Sequence, residues 1–167
     1  VAFGKPIFIR FAHEMNDPYR YPWGPQNNTK EEYIAAWRHV VGRFRRAGAT
    51  NVIWVWSPHV AYPYWELYYP GDAYVDWVAT GVLNFGPIAQ WSRWWSFSEI
   101  FTKHYPRLAA FQKPIVIAEL GSLAVGPAGS TSRRITAAPR GAGAPVRSVQ
   151  TIIRSRRARR GSCASGR

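Results

Sequence analysis

Cysteine is nearly absent: Cys163 is the single one in 167 residues. One thiol excludes an intramolecular disulfide and says little about compartment. No stretch is long and apolar enough to span a membrane. No signal-peptide pattern is seen. The chain opens at Val1, a few residues before an apolar stretch, and this is read as a missing N-terminus or a non-AUG start. The histidines lack metal-ligand spacing. His39, His59 and His104 read as structural or exposed, and no metal or cofactor is expected. From Leu123 to Arg167 there is no aromatic residue, no acid and no lysine. Such a stretch cannot bury enough apolar surface to order itself.

That tail also explains the charge. The formal net charge is +13, but Val1 to Ser122 holds twelve Lys and Arg against nine Asp and Glu. The rest is arginine between Arg133 and Arg167. Net basicity would suggest nucleic acid or an anionic membrane, yet residues 1–122 are close to neutral. Three readings of the tail stand. It is a basic arm centred on Arg156, Arg157, Arg159 and Arg160, a disordered tail, or an out-of-frame translation of GC-rich coding sequence. The third is preferred. The chain therefore divides into a folded part, 1–122, and a tail, 123–167, and no specific nucleic-acid partner is expected.

What is abundant is tryptophan. All nine lie at or before Trp95, more than a core of this size needs. Sugar clefts use such rings, because a flat apolar face stacks on the C–H face of a pyranose. Two stretches carry the chemistry. Ile7 to Asn16, IFIRFAHEMN, is an apolar run ending in Arg10, His13, Glu14 and Asn16. Pro114 to Ser122, PIVIAELGS, is a second apolar run delivering Glu119. Ionisable groups at the ends of buried strands are costly unless paired or used. Two carboxylates, each at the exit of its own strand, suggest a two-carboxylate active site.

The remaining segments give the frame. Lys5–Ala12 reads as a buried strand and Asp17–Asn28 as a loop. Thr29 to Glu32 is a capping box opening a helix with Ile34, Trp37, Val40, Val41 and Phe44 on one face, stopped by Gly48. Asn51–Trp56 is the next strand. His59–Asp72 is a loop with room for a helical turn. Tyr74–Thr80 is a third strand and Gly81–Ser96 a loop. A second capping box, Ser96 to Glu99, opens a helix that Pro106 kinks or splits. The strand Ile115–Glu119 follows. Strands apolar on both faces, separated by crossovers, indicate a parallel α/β sheet. The long aromatic loops all follow strands, which is the asymmetry of a (β/α) barrel.

The quoted residues resemble glycoside hydrolase family 26, a β-mannanase family of the retaining barrel clan, in its bacterial exopolysaccharide-associated branch. The resemblance covers Val1 to about Gly126. IRFAHEMNDPYRYPWG is similar to the family's fourth-strand segment, NVIWVWSP to its fifth, YVDWVATGVLNFG to its sixth and KPIVIAELGS to its seventh. From Pro127 the likeness ends. The resemblance implies a fold class: α/β, a fragment of a (β/α)8 TIM barrel comprising strands four to seven, followed by a disordered basic tail.

It also implies roles. Glu14 would be the acid/base and Glu119 the nucleophile of a retaining glycosidase acting on β-mannan or a related β-linked polysaccharide. His13 would bind sugar near the cleavage point, with Tyr19, Trp23 and Trp91 as stacking platforms. Trp54 and Trp56 share one strand face, and Trp56, nearer the strand end, is the expected sugar contact. Arg10 is expected to pair with a carboxylate inside the barrel, and Asp76 to cap or bridge near a strand start. Trp37 and Trp77 read as core. Asn16 and Asp17 read as loop-shaping residues. One position departs: where the family places a tyrosine bonded to the nucleophile, this chain has Leu83, followed by Asn84. A barrel takes about 250 residues and eight strands, so this polypeptide alone is expected to fold poorly and to be inactive. The parent is expected to be extracellular, periplasmic or envelope-associated. Two other function classes stand beside the hydrolase: a non-catalytic glycan-binding remnant and a basic-tail nucleic-acid binder.

Overall fold

The computed structural model describes residues 3–88 and 90–122. The tail, and every reading of it, lies outside them. Strand β1 is Ile7–Ile9, shorter than expected. Ala12 and Glu14 take positive φ, 41° and 53°, and such residues cannot continue a strand. Helix α1 runs Lys30–Arg46. Its capping box forms as expected: the Thr29 hydroxyl accepts the Glu32 N–H at 3.2 Å, and the Glu32 carboxylate accepts the Thr29 N–H at 2.8 Å. Arg43, Arg45 and Arg46 occupy its last turn, where cations meet the negative end of the helix dipole.

Strand β2 is Val52–Trp56, and the following crossover contains two 3₁₀ turns, Trp65–Tyr68 and Asp72–Tyr74. Strand β3 is Trp77–Asn84. The expected break at Gly81 does not occur, because β4 pairs with β3 along its length. The second helix is split, as Pro106 suggested, into α2 (Phe97–Phe101) and α3 (Tyr105–Ala109). Proline is tolerated in the first turn of a helix, where its missing N–H has no partner to lose. Strand β4 is Ile115–Ser122.

The sheet order is β1-β2-β3-β4, and all three pairings are parallel. Register assigns the faces. Ile9 lies opposite Trp54, Trp56 opposite Val78, and Val78 opposite Ile115. These residues belong to one core with Trp37, Val41 and Leu108, so this face is covered by the helices. On the other face Phe8 meets Trp77 edge-on at 5.5 Å. Asp76 bridges β2 to the start of β3 as expected: its carboxylate accepts the Trp54 N–H at 2.8 Å, and its own N–H donates to the Trp54 carbonyl at 3.0 Å.

The sheet is curled. Arg10, just past β1, forms an ion pair with Glu119 on β4. In a flat sheet three strand spacings would separate those strands by about 14 Å. The contact between outer strands requires the curvature of a half-barrel, and the chain is a four-stranded fragment of a (β/α)8 barrel.

Candidate active site

A bulge aims Glu119. Strict alternation from Ile115 through Ile117 would put Glu119 on the helix face. Between Thr80 and Gly81 the register shifts: Thr80 pairs with Ile117, but Gly81 pairs with Glu119. One extra residue, Ala118, turns Glu119 to the concave face, the use to which bulges are commonly put. A Cβ on Gly81 would lie 3.7 Å from the Glu119 Cβ, so the two point the same way. Leu83 follows on this face. Its Cδ2 would lie 3.2 Å from a Cβ on Gly121, so an aliphatic side chain covers the row beside Glu119. Asn84 next to it is a structural pin: its Oδ1 accepts the N–H groups of Gly86 and Trp95, both at 3.1 Å, and its Nδ2 donates to the Ser122 hydroxyl at 3.2 Å.

Glu14 comes from the turn after β1. Its N–H donates to the Ser57 carbonyl at 2.7 Å, which ties it to the end of β2. Its Oε2 accepts the Tyr21 hydroxyl at 3.0 Å. Tyr21 stacks on Trp23 at 4.9 Å and 10°, and the His13 ring meets Tyr21 edge-on at 4.9 Å. The Trp23 Nε1–H donates to the His13 carbonyl at 2.8 Å. Burial first, and then Arg10, hold the His13 imidazole below its ordinary range; Glu119 and Glu14 act in the opposite sense. Both carboxylates therefore make themselves felt at one histidine, which is a neutral ring near pH 7.

The fold thus brings together Glu14, Glu119, His13 and Trp23 from the expected set, and the expected pairing of Arg10 is with Glu119. Tyr19 lies beside this group, 77 % exposed and edge-on to Tyr62 at 6.2 Å. Trp91 stands further along the loop after β3, 74 % exposed, with its ring against Phe85. Trp56 is corrected. It is fully buried on the helix face, among Trp65, Tyr69 and Phe111, and offers no surface to a sugar. Alternation told which residues share a face but not which face is concave.

Tyr21 was missed. Its only sequence signal is an aromatic residue seven positions after Glu14 in a loop of aromatics. Spacing also missed His59. Its ring, Glu14 and Asp17 each place one ligand atom within 4.8 Å of the others. Tyr21 bonds Glu14, the Tyr19 N–H bonds Asp17 Oδ1 at 2.8 Å, and Arg20 lies 3.7 Å from Asp17 Oδ2, which like His59 Nδ1 is buried without a hydrogen-bond partner among the described residues. Asn16 closes the loop from the other side, exchanging two 2.9 Å bonds with the His59 backbone. Among the described residues no helix is long and apolar enough to cross a membrane.

Comparison with known proteins converges on one family. The sequence model of glycosyl hydrolase family 26 matches residues 3–126. Endoglucanase H of Acetivibrio thermocellus is 43% identical over 146 residues, covering 82% of this chain and 16% of that protein. Mannan endo-1,4-beta-mannosidase A and B of Caldalkalibacillus mannanilyticus is 32% identical over 125 residues, covering 71% of this chain and 22% of its own length. Among solved structures, a GH26 beta-mannanase from Bacteroides ovatus superposes with a TM-score of 0.58 at 27% identity, over 71% of this chain and 34% of that one. The chain spans about a third or less of the length of these relatives. With its parallel half-barrel and a match over most of its length, the chain belongs to glycosyl hydrolase family 26.

Proposed function

We propose that residues 3–122 carry the catalytic pair of a retaining hydrolase of β-linked polysaccharides, with mannan and β-glucan as the candidate substrates. The relatives named above are called mannosidase and endoglucanase. The observation that carries this reading is the bulge at Ala118, which turns Glu119 to the concave face where Glu14 and His13 gather. Glu119 is the nucleophile: it bonds the anomeric carbon as the glycosidic C–O bond breaks, while Glu14 gives its proton to the leaving oxygen. Water then displaces Glu119 and returns a proton to Glu14. Arg10 pairs with Glu119 and fixes the direction in which it points. Trp23 and Tyr19 are the sugar platforms nearest the pair, and His13 contacts the sugar at the cleavage point.

Four strands provide half of an eight-stranded barrel. Activity is assigned to the barrel that contains all eight, and the 167-residue chain alone is inactive in this reading. The test is hydrolysis of mannan and of mixed-linkage β-glucan by the chain alone and by a hybrid. In the hybrid, residues 3–122 replace the matching segment of the Bacteroides ovatus β-mannanase. The folded hybrid releases products of retained anomeric configuration and loses this activity with Glu119→Ala or Glu14→Ala. A folded hybrid without activity, or one that keeps activity with Glu119→Ala, refutes the assignment. Glycan binding that survives without any hydrolysis favours a binding remnant instead.

A further inference from the structure

We propose that Tyr21 is a positioning residue for the proton donor: its hydroxyl holds Glu14 Oε2 and so leaves Oε1 as the oxygen that faces the scissile bond. This rests on the assignment of Glu14 given above. A carboxylic acid that must deliver a proton to one oxygen needs its rotation about the last side-chain bond fixed. Glu14 sits in a turn outside the strands, on a residue with positive φ, and Asp17 and His59 each place a polar atom within 4.8 Å of its carboxylate. The bond from Tyr21, at 3.0 Å, fixes that rotation.

The phenol is itself held. Its ring lies flat on Trp23 and receives the edge of His13, and Trp23 is tied to the His13 carbonyl. His13 and Glu14 are consecutive, so the clamp closes on the same turn that carries the acid. When the proton leaves Oε1, the negative charge spreads over both oxygens, and the Tyr21 O–H donates to the one it already touches. In the second step the same bond keeps the carboxylate turned toward the incoming water.

The charged groups around Tyr21 are few. Burial holds its phenol above its ordinary range, and the bond and charge of Glu14 add to this; Arg20 opposes and Glu119 adds a smaller push. These contributions separate in one experiment on the full 167-residue chain: tyrosine labelled at 13Cζ, followed by NMR against pH. The Tyr21 resonance is identified by its loss in Tyr21→Phe. It titrates above a free phenol, and Glu14→Gln lowers the midpoint by about half a pH unit or more. Glu119→Gln moves it by less than half as much. A midpoint unmoved by Glu14→Gln overturns the proposal, since ring packing on Trp23 alone would give that result. An equal response to both variants also overturns it, since that marks a long-range field. Glu14→Asp keeps the charge but withdraws it by one methylene; it too lowers the midpoint, and no change there counts against the clamp. Failure of the underlying assignment shows separately, as an inactive folded hybrid.

Discussion

Gly24 lies under the loop that brings Tyr21 and Trp23 to the site. It is buried, and a Cβ there would lie 2.7 Å from the Asp17 carbonyl oxygen and 3.1 Å from that of Tyr21. Both obstacles are backbone, so neither can swing aside as a side chain would. The φ at Gly24 is not in the left-handed region, so the damage from Gly24→Ala is steric and not conformational. Relieving a contact that close takes a shift of roughly half an ångström, and overpacking of this kind costs about 1–3 kcal/mol. The same shift strains the 2.9 Å bond from the Gly24 N–H to Tyr21 and the 3.0 Å bond from Tyr21 to Glu14. Gly42 is the internal control. It lies in α1, where a Cβ meets only the tip of Arg46 at 3.2 Å. That side chain is exposed and yields, so Gly42→Ala gains helix propensity of up to about 1 kcal/mol. Urea unfolding followed by tryptophan fluorescence should move the midpoints in opposite directions, with unchanged m-values. A Gly24→Ala midpoint at or above that of the unsubstituted chain would refute the steric argument.

In the hybrid barrel, Tyr21→Phe should slow cleavage of sugar leaving groups by roughly 10- to 100-fold. For dinitrophenyl glycosides, whose departure needs no proton, kcat/KM, which reports the first step, should be nearly unaffected, and steady-state kinetics on the two substrates checks this. Asp76→Ala leaves the Trp54 N–H of a buried strand without its acceptor and should cost about 1–3 kcal/mol in urea unfolding. Burial, then Lys103 and Arg107, depress the His104 imidazole to about 4. Because the folded chain binds fewer protons than the unfolded one in this window, the stabilisation is complete above pH 6.5 and is lost as pH falls toward 4. Unfolding midpoints measured across that range should fall less steeply for His104→Gln than for the parent chain.

Local patterns were legible where local physics decides. Thr29, Glu32 and the spacing of Trp37 and Val41 defined α1, because capping and helical period are short-range effects. Glu14 and Glu119 were legible as charges closing apolar runs. The orientation of Glu119 was not, since Ala118 looks like one more strand residue until its pairing with β3 is known. Gly81 looked like a break for the same reason. It is a place beside Glu119 where no side chain stands in the way. Trp56 shows the limit of alternation: two faces can be separated from sequence, but naming the concave one needs the curl. Tyr21 needed a loop to fold back on itself.

The Arg10–Glu119 pair joins residues 109 positions apart. Closing so long a segment costs conformational entropy that grows with its length, and little repays it until the strands between are aligned. Folding of this unit should therefore begin in neighbouring strand pairs and reach the pair of charges last. A chain stalled with three strands in register would show most of its final secondary structure and yet have no site. The ion pair is in this sense a clock, and the rate at which it forms measures completion of the curved sheet.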